Sequence, residues 1–195
     1  MRLTISYRGI LRDPDELESI LDDVFALCVE IGWHYMPIHR SNVMPTRGIM
    51  ITPVDCEPIW LTFLPNGKLY DPSHFIYTSC PDLEKVNEEL GQWIEAKTYY
   101  AGIDTHMAII KFFRYLHLKY FEVFELHDQS QYWETDNVAL CLIRFYGLSE
   151  STDYVERRFD LNENDEDEDD EELESVASRM EEALLRRGGA GASLN

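Results

Sequence analysis

The chain reads as an α+β protein: an antiparallel-rich sheet with helices packed on it, followed by an acidic C-terminal tail carrying a short amphipathic helix. Three observations predict this. A single apolar stripe at helical spacing runs from Leu17 to Ile31. Short β-patterned segments, one of them followed by an Asn-Gly turn, fill residues 33–70. A second helical pattern, 104–120, runs straight into a strand-like stretch, 121–126.

Met1 to Tyr7 alternates as a strand does. Asp13-Pro14-Asp15-Glu16 then supplies an N-cap, a proline at the first helical position and an acid at the third. Leu17, Ile20, Leu21, Val24, Phe25, Cys28 and Ile31 form the buried stripe of the first helix, and Gly32 ends it. Trp33 to Ile38 alternates, with Pro37 placing it at an edge. Residues 48–54 read as another strand, and 59–64, apolar on both faces, as a more central one. Asn66-Gly67 is a hairpin signal, because both residues accept positive φ, and Lys68-Leu69-Tyr70 pairs back. A short helix is expected over 81–90 and a strand over 93–100. Asp104 can cap the helix to Tyr120, with Ile109, Phe112, Phe113, Leu116 and Tyr120 buried and Lys111 and Arg114 forming a small basic face opposite. Thr135 or Asp136 caps a last body helix through Tyr146, ended by Gly147.

Beyond Phe159 the character changes. Asp165 to Glu172 is an unbroken run of eight acids, which cannot join a core because ionised carboxylates are not buried unpaired. The expected division is a globular domain, 1–159, and an acidic, largely disordered tail, 160–195. Within that tail Leu173, Val176, Ala177, Met180 and Leu184 repeat at helical spacing, giving a helix over 171–187 on an acidic leash. On this reading the tail adds nothing to the interior of the body.

Composition bounds the function. The 195 residues, 45% of them apolar, suit one domain of ordinary size with a tail. The net charge is −20, and the 13 acids and 3 bases from Asp160 onward carry half of it. Both parts would be repelled by a phosphate backbone or an anionic bilayer, so the expected partner is neither nucleic acid nor membrane. A protein partner with a basic surface, or a second copy, is favoured instead. No stretch approaches the ~20 apolar residues of a membrane span and no secretory signal is evident, which points to the cytoplasm.

Candidate chemistry is sparse. Cys28 and Cys141 fall inside helical apolar patterns. Asp55, Cys56, His74 and Cys80 have no zinc-ligand spacing, and His34 and His39, five apart, aim at opposite faces of a strand. No metal or cofactor is expected. There is no nucleophile elbow, phosphate loop or dinucleotide fingerprint. The one constellation suited to general acid–base work is His106, near the start of the long helix, with Lys97, Asp128 and Glu134. It requires these segments to meet in a cleft. The competing structural reading has His106 capping its helix, Trp133 in the core, and Glu134 and Asp136 as acids beside a helix start.

Ser6-Tyr7-Arg8-Gly9-Ile10-Leu11, Lys97-Thr98, His106, Lys119-Tyr120-Phe121 and Tyr132-Trp133-Glu134-Thr135 together resemble small uncharacterised bacterial proteins of similar length. The resemblance implies a bacterial cytoplasmic setting, brings no activity with it and does not reach the tail. The expected function is therefore a non-catalytic intracellular interaction or regulatory module, contacting its partner through Lys111, Arg114, Leu173, Val176, Met180 and Leu184. The alternative is an enzyme or small-ligand binder using the His106 cleft.

Overall fold

Strand β1 (Thr4–Leu11) organises the molecule, and its alternation turns Ile5, Tyr7, Gly9 and Leu11 inward. The structure, a computed structural model, describes residues 3–41, 45–73, 93–147 and 175–188. The helix expected over 81–90, Leu173 and the acidic run lie outside the described residues.

β1 is the middle of a three-stranded antiparallel sheet, between β5 (Ile94–Lys97) and β6 (Phe121–Asp128). Ile5 faces Asp128, Tyr7 faces Leu126 and Gly9 faces Phe124, and an irregularity after Ile10 sets Leu11 against Phe121. Because side chains alternate with period two, Phe124, Leu126 and Asp128 share the buried face. The same parity on β5 buries Ile94 and Ala96, exposes Glu95 and Lys97, and turns Thr98 in.

A second antiparallel sheet is the meander β2 (His34–Ile38), β3 (Arg47–Thr52) and β4 (Ile59–Phe63). β3 and β4 approach so closely at Gly48 that an added Cβ would lie 1.9 Å from the Leu61 carbonyl oxygen. After the turn at Asn66-Gly67, where Gly67 adopts φ +79°, the chain bridges the two sheets. Leu69 faces Phe63, Lys68 faces Ile10, and the Leu69 amide donates to Gly9 O at 2.9 Å. The fully buried Tyr7 phenol adds a second tie, donating to Trp60 O at 3.0 Å and accepting from Trp60 N at 2.9 Å. Burial holds its pKa well above the usual phenol range.

Helix α1 (Leu17–Ile31) follows a 3-10 turn at Pro14–Glu16, where Asp13 accepts the Asp15 amide, and ends at Gly32 with φ +80°. Helix α2 (Gly102–Tyr120) begins after a 3-10 turn at Tyr99–Ala101 and runs without a loop into β6. The expected strand 93–100 is thus shorter, and Asp104 sits in the first turn of α2 rather than capping it. α2 is buried on nearly every side. Phe113 packs on Tyr7 and Phe124, at ring separations of 4.6 and 5.6 Å, and Phe112 meets Trp33 edge-on. A one-turn helix α3 (Tyr132–Thr135) leads to α4 (Val138–Tyr146). Asn137 caps α4 through the Leu140 amide; Asp136 takes a left-handed conformation just before it, so neither Thr135 nor Asp136 is the cap.

The tail helix, α5 (Val176–Arg186), corrects the expected division. It packs against α1 and α2 and places Ala177, Met180, Ala183 and Leu184 in the core. This stripe is narrow and uncharged, so it fits a groove between two helices. Arg179 donates to the Glu30 and Ile31 carbonyls at the C-terminal end of α1, where the helix dipole is negative. Arg186 and Arg187 grip the Glu30 carboxylate, and their hydrogen bonds lower its pKa. Among the described residues no helix is long and apolar enough to cross a membrane.

Candidate functional site

The parity of β6 delivers Asp128 to the interior just where β5 delivers Thr98 and α2 delivers His106. All three, with Ser130, are at most 1% exposed. His106 Nδ1 lies 2.7 Å from Thr98 Oγ1. Its Nε2 lies 2.8 Å from Ser130 Oγ and 3.2 Å from Asp128 Oδ1. A carboxylate only accepts, so Nε2 carries a proton whichever role Thr98 takes.

Asp128 is saturated by donors. Oδ1 accepts from Ser130 N at 2.8 Å; Oδ2 accepts from Ser130 Oγ at 2.7 Å, Tyr132 N at 2.8 Å and Trp133 N at 3.0 Å. Burial by itself would raise the Asp128 pKa, but His106 and the two Ser130 donors outweigh it and lower the value to about 2. The carboxylate thereby ties the start of α3 and His106 of α2 to the end of β6. Phe145 of α4 meets the imidazole edge-on at 5.3 Å and stacks on Tyr99, closing the node from outside.

The expected four-residue cleft is not formed. His106 and Asp128 come together, but His106 is a buried node and does not cap α2. Lys97 is on the exposed side of β5, its ammonium 2.7 Å from Glu57. Glu134 is exposed in α3. Thr98 and Ser130 take the places they leave.

No known protein family, curated protein or solved structure matches the chain. The chemistry of the node has to be read from its geometry. In a nucleophilic triad the hydroxyl and the carboxylate occupy opposite nitrogens of the imidazole, so that the histidine can take the hydroxyl proton. Ser130 shares Nε2 with Asp128 and already donates to that carboxylate, so the histidine does not take its proton. Thr98 does stand on the nitrogen opposite Asp128, but both hydroxyls are fully buried, with no exposure through which to meet a substrate.

The basic face expected of Lys111 and Arg114 is also absent. Arg114 is 5% exposed; it binds Asp136, donates to the Tyr132 carbonyl at 2.5 Å and the Trp133 carbonyl at 3.0 Å, and lies over both rings. Lys111 pairs with Glu181 of α5. The reason is that α2 has neighbours all round, so the side opposite its main stripe is covered too. Val176, Met180 and Leu184 are likewise turned to the body.

Another polar cluster holds α1 to α2. Asp23 accepts from Tyr115 at 2.7 Å, from Lys119 at 2.6 Å and from Tyr120. Partial burial opposes its ionisation, yet the three donors lower its pKa, while burial and Asp23 push Tyr120 up to about 12. His117, half-buried between Phe124 and Trp133, has a lowered pKa through desolvation. Among the described residues no group of three or more His, Cys, Asp or Glu could hold a metal ion. His74 and Cys80 lie outside those residues. Burial pushes Cys28 and Cys56 up to about 12 and Cys141 to about 11, so their thiols stay protonated at neutral pH.

Proposed function

We propose that the protein is a non-catalytic intracellular interaction module that offers its acidic segment, residues 160–174, to a basic protein partner. The observation that carries this reading is the docking of α5. The helix begins at Val176, directly after the acidic run, and its apolar stripe and three arginines are engaged by the body. In sequence the run lies between α4 and α5, which both belong to the folded unit. The apolar helix face is not free for a partner, and the carboxylates remain as the recognition element. Lys111 and Arg114, engaged within the chain, drop out of the contact set. The saturated, enclosed state of the His106 node supports a structural role for the residues that most resembled an acid–base site.

Because α5 belongs to the core, deleting 160–195 would confound binding with stability. The test is to replace the eight acids from Asp165 to Glu172 by their amides and keep α5. Affinity capture from cell extract in a salt series should show basic proteins held by the parent at low salt, released as salt rises, and absent with the amide variant. The same proteins captured by both forms would refute the reading.

A further inference from the structure

Enclosure keeps a substrate from solvent out of the His106 node, yet one electrophile is already beside it: the peptide bond between Lys97 and Thr98. Thr98 Oγ1 lies 2.7 Å from His106 Nδ1 and is fully buried. Across the ring, Asp128 Oδ1 accepts from Nε2 at 3.2 Å. In the neutral imidazole Nδ1 therefore carries only its lone pair, and the Thr98 hydroxyl donates to it. A hydroxyl and a carboxylate on opposite nitrogens form the arrangement that activates a nucleophile. The Thr98 oxygen needs no outside substrate, because attack on the Lys97 carbonyl carbon closes a five-membered ring within the chain itself. The neighbouring turn addresses that same carbonyl. Glu57 N donates to Lys97 O at 3.3 Å and Cys56 Sγ donates to it at 3.6 Å. Both contacts are long for a neutral carbonyl and shorten as negative charge develops on the oxygen. Asp55, just before them, takes φ +54°, a left-handed conformation that a non-glycine residue adopts at a cost. Beyond the bond, Thr98 N donates to Leu3 O at 3.1 Å, which fixes the amide that would leave. Lys97 and Glu57 are both exposed, so this side of the bond borders solvent.

We propose that the chain cleaves its own Lys97–Thr98 bond through an ester at Thr98. Thr98 Oγ1 passes its proton to His106 Nδ1 and bonds to the Lys97 carbonyl carbon, whose oxygen becomes an oxyanion facing Glu57 N and Cys56 Sγ. The C–N bond then breaks as His106 returns the proton to Thr98 N, leaving an ester and a free amine. Water adds to the ester, which frees the Lys97 carboxylate and restores the Thr98 hydroxyl. Thr98 and His106 touch the reacting atoms; Asp128, acting through the imidazole, is a positioning residue. The products are residues 1–97 and 98–195, and β1 stays paired with β6 across the cut. Each molecule reacts once. The inference rests on the node and not on the acidic segment, so either reading can fail without the other.

The test is mass spectrometry of the full chain, denatured after incubation at neutral pH with and without hydroxylamine, which traps an ester as a hydroxamate. Fragments 1–97 and 98–195 should accumulate, faster with hydroxylamine and then with the hydroxamate on Lys97. Mass separates them from hydroxylamine's own reaction at Asn66-Gly67. The fold supplies the base, so a chain held unfolded in urea should cut at this bond at least about a hundredfold more slowly. Thr98→Val, which keeps the branched shape and removes the hydroxyl, should stop cleavage, and Thr98→Ser should retain it. Of the groups facing the imidazole, Thr98, Ser130, Asp128 and Phe145, only Asp128 carries charge. Asp128→Asn should therefore slow cleavage and move the midpoint of its pH profile downwards, because the imidazolium loses its counter-charge. No cut at 97–98 in the presence of hydroxylamine would overturn the proposal. So would equal cleavage in urea or by Thr98→Val, or an unmoved pH profile in Asp128→Asn.

Discussion

Replacing Asp128 by Asn tests the node most directly, because it keeps the shape and removes the charge. The carboxylate serves five donor contacts: Ser130 N and His106 Nε2 on Oδ1, and Ser130 Oγ, Tyr132 N and Trp133 N on Oδ2. An amide retains one oxygen and points an NH₂ at the donors of the other. At least two donors therefore lose their acceptor in a site that is 1% exposed. Hydrogen bonds to a charged group contribute about 1.5–3 kcal/mol each, so the expected destabilisation is about 3–5 kcal/mol. With a urea m-value of about 2 kcal/mol/M, the midpoint should fall by about 1.5–2.5 M, read from tryptophan fluorescence. A loss under about 1 kcal/mol would refute the argument.

The same variant has a pH signature. Asp128 has its folded pKa depressed from 3.8 to about 2, so its contribution is fully present above the unfolded value and is lost as pH falls through the folded one. A shift of this size corresponds to about 2–3 kcal/mol. The stability gap between parent and Asp128→Asn should be widest above about pH 5 and shrink by roughly that amount toward pH 2. A gap independent of pH would mean that the ionised carboxylate is not what holds the loop.

Two further substitutions test the fold around the sites. Met180→Ala empties a fully buried position on α5 and should cost about 2–4 kcal/mol in one cooperative transition, measured by urea unfolding; an unchanged midpoint would show α5 to be dispensable. Gly48→Ala sets a methyl 1.9 Å from the Leu61 carbonyl oxygen, and separating β3 from β4 should lower the thermal midpoint by roughly 6–12 °C by calorimetry, from a cost of about 3 kcal/mol.

What was legible in the sequence follows from what is local. α1 could be read nearly whole, since its stripe and terminating glycine lie within twenty residues; Asp13, however, caps the 3-10 turn before α1, and Phe25, expected in the stripe, is 48% exposed while Leu27 is buried. His106 and Asp128 could be singled out as titratable groups near element ends. Their true partners followed a subtler signal: Ile94, Ala96 and Thr98 share a phase, as do Phe124, Leu126 and Asp128, and that parity alone faces Thr98 inward and Lys97 out. Ser130 carried no periodic signal, because its position is set by the turn that Asp128 itself organises. Arg114 was misplaced for a different reason. A helical wheel separates a charged side from an apolar one, yet α2 has the sheet, α3, α4 and α5 around it, and the two terminal nitrogens of the guanidinium are taken by Asp136 and by carbonyls of a one-turn helix, while its buried Nε finds no partner among the described residues. The pattern of α5 was visible while its docking was not, because the groove that receives it is built from α1 and α2, far away in sequence.

That docking bears on how an acidic segment can be specific. Eight adjacent carboxylates attract any basic surface, and on a free tail that attraction would carry no geometry. Here Arg179, Arg186 and Arg187 are all held at the Glu30 end of α1, so α5, which follows the acidic segment in sequence, has a fixed place on the body. A partner drawn to the carboxylates would meet the surface beside them in a limited set of orientations, which turns long-range attraction into a directed encounter. The exposed ion pairs of α5 weaken with salt, as the attraction of the proposed partner would. The buried stripe of Met180 and Leu184 does not, so salt should release the partner before it releases the helix.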